Sequence, residues 1–230
     1  MANNKNDSKN IRSFGRIKSR KLSSSKNNRL INLYPKYLFD KISYNKISSK
    51  YKKINIEIGF GDGDFLYNMA KNNSQELFIG FEPYINGFVS LLSKLQNNHL
   101  PNILLFNGDF REKFQEIKDL QIKCAKIFIL FPDPWPKAKH YKRRLINAKF
   151  LDDYINPILS PIGQLVVSTD HDSLKLWVLW SINISKNFHW QAHYPDDWLN
   201  FPHYWCETKY QQKAKNEERS SIFITAKNGQ

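Results

Sequence analysis

The chain has 230 residues, and its 35 Lys and Arg against 21 Asp and Glu give a formal charge of +14. At 41% apolar and 14% aromatic it has enough hydrophobic surface for one medium domain with a full core, which excludes global disorder. No apolar run approaches the roughly 18 residues of a membrane span, and the charge excess favours a polyanionic partner, either nucleic acid or an anionic membrane surface.

The N-terminal decapeptide, MANNKNDSKN, lacks the apolar core of a signal peptide. The two cysteines, Cys124 and Cys206, have neither metal-ligand spacing nor a disulfide framework. Both features predict a cytoplasmic protein without a metal site. The charge is concentrated at the start: residues 1–53 carry 15 basic groups and two acids, a net +13, whereas residues 54–230 carry 20 basic and 19 acidic groups. Residues 1–29 are rich in Ser and Asn and nearly free of large apolar side chains, so they bury too little to offset the entropy of ordering. They predict a disordered basic arm, which leaves open an RNA-contacting arm and a passive solvated tail. Leu33, Tyr34, Tyr37, Leu38 and Phe39 make residues 30–53 an ordered lead-in, and residues 54–230 the domain proper.

From residue 54 short apolar runs alternate with amphipathic stretches. Runs at 54–59, 77–82, 102–106, 126–131 and 163–169 read as strands buried on both faces. Residues 84–98 and 172–187 carry helical periodicity, as do 145–159, where Pro157 ends or kinks the helix. A final strand covers 220–228, and 189–194 is a candidate for another. Such alternation predicts an α/β protein with a mostly parallel central sheet flanked by helices. Ligands in such sheets bind beyond the carboxyl ends of the strands.

The first strand end is Glu57-Ile58-Gly59-Phe60-Gly61-Asp62-Gly63, a turn that lets backbone approach a ligand closely. The second ends in Glu82, 23 residues after Gly59, where a carboxylate accepts from ribose hydroxyls. The pyrophosphate fingerprint needs a glycine where this chain has Asp64, and Glu57, Glu82, Asp109 and Asp133 would repel a pyrophosphate. The pattern therefore favours S-adenosylmethionine over a dinucleotide, with Asn107 or Asp109 placed for the adenine. The fourth strand runs into Phe131-Pro132-Asp133-Pro134-Trp135-Pro136-Lys137, a stiff loop that suits binding of a flat base. Residues 137–149 add Lys137, Lys139, Lys142, Arg143, Arg144 and Lys149 without an acid, a run that predicts RNA phosphate contacts.

With these motifs the chain resembles the bacterial tRNA (guanine-N(7)-)-methyltransferases. The resemblance rests on residues 57–63 and 79–82, above all on FPDPWPKAKHYKRRLIN at 131–147, then on STD at 168–170 and TKYQQKA at 208–214. It implies a Rossmann-like methyltransferase fold with a basic N-terminal extension, S-adenosylmethionine as cofactor, and methylation of a guanine in the variable loop of tRNA. It further implies cofactor contacts by Glu57, Gly59, Gly61, Glu82, Asn107, Asp109 and Asp133. Substrate contacts fall to Lys137, Asp170, Thr208, Lys209, Tyr210 and Gln211, phosphate contacts to Lys139, Lys142, Arg143 and Arg144, and catalytic roles to Asp133 and Asp170. Gln211 stands where the family usually has Glu, and Ala138 where a base is common. Two rival readings remain: an exocyclic amino methyltransferase, and a non-catalytic RNA-binding protein on a methyltransferase scaffold. Monomer and homodimer both stay open.

Overall fold

The computed structural model describes residues 13–15, 17 and 21–229, and leaves the side chains of Lys209 and Tyr210 outside the description. The chain opens with α1 (Ser24–Asn32) and α2 (Lys41–Ile47), capped by the side chains of Ser23 and Asp40. It then alternates: β1 (Lys53–Ile58), α3 (Asp64–Asn72), β2 (Glu76–Phe81), α4 (Ile85–Asn97), β3 (Ile103–Phe106), α5 (Phe110–Asp119), β4 (Cys124–Leu130). The second half holds α6 (Ala148–Phe150), β5 (Leu159–Thr169), α7 (Asp172–Ile184), β6 (Phe188–Trp190), α8 (Asp196–Leu199), α9 (Lys209–Asn216) and β7 (Ile222–Asn228).

The seven strands form one sheet in the order β3-β2-β1-β4-β5-β7-β6. The first five are mutually parallel; β7 runs antiparallel to both β5 and β6. Chain order runs outward from β1 in one direction and resumes with β4 on its other side. The crevice between β1 and β4 is therefore the topological switch point where such sheets bind ligands. Side-chain alternation puts Ile56 and Ile58 in one core layer with Leu77, Phe81 and Leu165. Phe78, Leu105, Phe128 and Leu130 face the other layer, against Phe65, Leu66, Leu91 and Leu92 of α3 and α4.

Each predicted strand is present, with shifted ends. Strand β5 starts four residues early, at Leu159, because a register shift opposite Cys124 and Lys126 absorbs Pro161. The expected helix at 145–159 is a single α turn followed by a π turn (Leu151–Ile155) and a 3-10 turn (Asn156–Ile158), since Pro157 cannot donate to a regular helix. Helix α5 was legible in principle: Asp109 and Glu112 form a full capping box.

The lead-in differs most from expectation. Of the basic arm expected at 1–29, residues 1–12 lie outside the described residues, but Ser24 onward is helical, so the boundary at residue 29 falls inside α1. Lys26 Nζ donates to Asn86 Oδ1 at 3.1 Å and Arg29 Nε to Gln96 Oε1 at 2.8 Å, which docks α1 along α4. Further on, Phe39 N–H donates to Leu105 O at 2.8 Å and Leu105 N–H to Tyr37 O at 2.6 Å. The lead-in thus covers the otherwise open edge of β3. The Phe39 ring is fully buried, 5.6 Å edge-on to Phe81. Phe39→Ala is expected to destabilise the fold by about 3–5 kcal/mol, read as a lower urea midpoint.

Candidate functional site

Strand β1 delivers its chain end into a turn in which Gly59, Gly61 and Gly63 all take positive φ, at 77°, 54° and 71°. Any L side chain is strained in that region, so the turn needs glycine. Gly61 N–H donates to Glu82 Oε2 at 2.6 Å, and Tyr84 N–H to Glu82 Oε1 at 2.7 Å. Glu82 therefore ties the glycine turn to the end of β2. Each of its oxygens keeps further acceptor capacity for a ligand.

Glu57 lies one strand over, only 3% exposed, and its Oε2 has no hydrogen-bond partner. Burial, then the charges of Glu82 and Asp64, push its pKa up to about 8. Burial raises Glu82 to about 7, against the opposing pull of the Tyr84 and Gly61 N–H groups; Asp133 and Asp62 add to the rise. Lys94 is the near cation: it pairs with Asp64 and donates to Asp62 O at 2.7 Å. Around Glu57 and Glu82 the site is thus crowded with acids, which suits a cationic group there.

A cavity of about 650 Å³ opens beyond the ends of β1, β2 and β4. Its lining includes Gly59, Gly61, Glu82 and Tyr84, then Asp109 and Arg111, and Asp133 and Trp135 with Lys142, Arg143, Arg144 and Lys149. Its size is that of a small-molecule site with room to spare. A smaller hollow beside it is lined by Glu57, Asp62, Phe131 and Thr208. The proline loop that forms the far wall is strained, with φ of 49° at Phe131 and 40° at Trp135. Asp133 stands at the mouth as an exposed residue, yet the walls exclude enough water to raise its pKa above the ordinary carboxylate value. The Trp135 ring meets the Arg143 guanidinium at 4.8 Å and the His140 ring edge-on at 5.5 Å.

Of the residues expected to bind cofactor, Gly59, Gly61, Glu82, Asp109 and Asp133 line the main cavity, and Glu57 the hollow beside it. The Asp109 carboxylate is already engaged: it caps α5 and takes both ends of the Arg111 fork, at 2.9 and 2.8 Å. Asn107 lines neither space; its amide donates to Glu82 O at 2.8 Å. Lys137, Lys139 and Lys142 are exposed on or beside the 3-10 turn Ala138–Arg143. Arg143 is half-buried, with an unpartnered Nε. Arg144 borders the main cavity but is buried and hydrogen-bonded within the protein. Asp170 stands outside the cavity, paired to Arg219 Nε at 2.7 Å. Thr208 caps α9, and buried Gln211 accepts from Trp205 Nε1 at 2.7 Å. Expectations for the side chains of Lys209 and Tyr210 fall outside the described residues.

The sequence reading missed Ser13, Phe14 and Gly15, which complete the cavity wall. Phe14 lies 5.8 Å from the Arg143 guanidinium. The available signal was that Phe14 is the lone aromatic of residues 1–29. Among the described residues no helix is long and apolar enough to cross a membrane, and no His, Cys, Asp and Glu cluster could hold a metal.

A family profile described as "Putative methyltransferase" matches residues 51–224. The tRNA (guanine-N(7)-)-methyltransferase of Rhizobium johnstonii is 33% identical over 218 residues, 92% of each chain. The same enzyme of Agrobacterium fabrum is 34% identical, over 92% of this chain and 93% of its own. That of Wolbachia pipientis wMel is 36% identical over 80% of this chain and 79% of its own. Among solved structures, the 16S rRNA methyltransferase KamB superposes with a TM-score of 0.56 at 12% identity, covering 84% of this chain and 95% of its own, a likeness of fold.

The raised carboxyls have a consequence for stability. Their folded pKa values lie above the ordinary value near 4.5, so the folded state holds extra protons from there up to about 8 for Glu57 and about 7 for Glu82. Stability conferred by those protons is lost as pH rises through that window. The ligand-free protein is expected to melt lower at about pH 8.5 than at about pH 6, and Glu57→Gln to flatten the difference. Thermal melts of both proteins at the two pH values provide the check.

Proposed function

The chain belongs to the tRNA (guanine-N(7)-)-methyltransferase family, and from that premise we infer its reaction: transfer of a methyl group from S-adenosylmethionine to ring nitrogen 7 of a guanine in tRNA. The observation that carries the reading is a cavity at the β1/β4 switch point that brings the acids Glu82, Asp109 and Asp133 together with a strained proline loop and the basic side chains that follow it. Methylation within the variable loop is the finer proposal, taken from the family resemblance.

The residues present fit the cofactor. The unpartnered oxygen of Glu57, among acids whose pKa values are raised, suits a ligand carrying an ammonium and a sulfonium. Glu82 retains acceptor positions for ribose hydroxyls, and the positive-φ glycines let backbone approach closely. A pyrophosphate would be repelled by the same acids. When bound, S-adenosylmethionine supplies an electrophilic methyl group on sulfur.

Guanine nitrogen 7 carries an in-plane lone pair and no proton, so the chain needs no general base. Its task is alignment and charge stabilisation. Asp133 is assigned to the developing positive charge on the ring; what supports this is its place at the cavity mouth, close enough to Glu82 for its charge to raise the Glu82 pKa. Trp135 offers an aromatic wall for a base splayed out of the tRNA fold. Asp170, just past the end of β5, the strand next to β4, is assigned to the guanine edge once it parts from Arg219. Arg143, with its free Nε, and exposed Lys137, Lys139 and Lys142 are assigned to phosphates.

Incubation with unmodified tRNA and methyl-labelled cofactor, followed by nucleoside mass spectrometry, is expected to yield 7-methylguanosine. Methylation of an exocyclic amino group, or none at all, would overturn the reading. Asp133→Asn is expected to lower kcat by roughly 100-fold. Asp170→Ala is expected to suppress turnover with cofactor affinity, measured by calorimetry, unchanged. Removing residues 1–12 takes away Lys5, Lys9 and Arg12 but leaves the wall at 13–15. The expected result is weaker tRNA binding with a shallower salt dependence and intact turnover at saturation.

A further inference from the structure

We propose that Arg144 is a positioning residue for methyl transfer: it locks the loop that carries Asp133 to the turn that carries Asp170. The inference rests on the methyltransferase reading and deepens it.

The geometry begins with a shortage of donors. Pro132, Pro134 and Pro136 have no backbone N–H, so the loop leaving β4 has little means of pinning itself. Its backbone is strained at Phe131 and Trp135, and strain persists only where surroundings enforce it. Arg144 supplies that enforcement. Its Nε donates to Pro134 O at 2.9 Å and its terminal nitrogen Nη2 to Trp135 O at 3.3 Å. The same fork reaches across to α7, donating to Ser173 Oγ at 3.0 Å and Ser173 O at 3.3 Å. Ser173 Oγ in turn contacts His171 Nδ1 at 3.1 Å, in the turn that follows Asp170. The flat guanidinium is packed 4.0 Å from the Tyr141 ring and 5.0 Å from the Trp177 ring.

Only 4% of Arg144 is exposed, and although it borders the cavity its donors are engaged by Pro134, Trp135 and Ser173. It is the one buried member of the basic run at 137–149. A Lys at this position keeps the charge but lacks the planar fork; its three donors radiate from one atom and cannot serve both the loop carbonyls and Ser173.

The experiment compares Arg144→Lys, Arg144→Ala and Ser173→Ala with wild type, reading melting temperature, tRNA affinity against salt, and kcat with KM on unmodified tRNA. For Arg144→Lys a fall in kcat of about 30-fold or more is expected, with KM, tRNA affinity and salt slope within about twofold of wild type. Ser173→Ala should show the same pattern with a smaller loss. Millimolar guanidinium should restore part of the activity of Arg144→Ala, because the cation refills the space between Tyr141 and Trp177. Wild-type kcat in Arg144→Lys would overturn the proposal. So would a shallower salt slope with kcat intact, which marks a phosphate contact. A loss of kcat no larger than that of Phe39→Ala at matched melting temperature would reduce Arg144 to a merely structural role and also overturn it. The wild-type control separates the two levels: if it transfers no methyl to nitrogen 7, the methyltransferase reading falls, whereas wild-type activity with an unaffected Arg144→Lys sinks only the positioning role.

Discussion

Two backbone N–H groups, from Gly61 and Tyr84, converge on the two oxygens of one buried carboxylate, Glu82. That pair of bonds joins the turn after β1 to the end of β2 and sets the near wall of the cavity. Without the turn's left-handed glycines the N–H of Gly61 would not face Glu82, and without Glu82 the strained turn would have no partner at its centre. Helix α4 is packed hard against the same turn: a Cβ on Gly87 would lie 2.5 Å from Gly61 O. This side of the candidate site is therefore built from backbone, held by one acid.

The far wall is built on the opposite principle. Its loop has prolines where N–H donors would be, so side chains must supply the restraint. Arg144 supplies donors from beneath, and Arg143 lies over the outer aromatic surface of Trp135. Adjacent arginines in one basic run thus differ although both border the cavity: Arg144 is buried and bonded to loop carbonyls, whereas Arg143 packs on the Trp135 ring. Glu57 and Glu82 are buried near the ends of β1 and β2, whereas Arg111, Lys142, Arg143, Arg144 and Lys149 line the cavity beside Asp109 and Asp133, and Lys137 and Lys139 are exposed outside it. Cationic and anionic groups of a ligand would each meet the part of the lining whose charge attracts it.

Much of this was legible in the chain alone. Apolar runs of strand length, the glycine turn, the acids at strand ends and the proline loop depend on adjacent residues, since period-two burial and turn chemistry are local properties. Even Pro157 announced the broken helix before β5. The order of the strands at the switch point follows less directly, from the rule that parallel crossovers are right-handed and from the packing of both core layers.

What only the tertiary structure decided is which partner each charged group meets. Asp170 is held by Arg219, 49 residues away, and Arg144 reaches Ser173, 29 residues away. The Gln211 amide meets a Trp205 indole, and Ser13, Phe14 and Gly15 join a lining whose other members start more than 40 residues later. Such pairings depend on where the sheet and its loops bring distant residues together, and no local pattern records them. The sequence by itself determined the kind of fold, the position of the site and the charges available there. The folded chain determined which of those charges remain free to act, because burial and hydrogen bonding engage some of them before any ligand arrives.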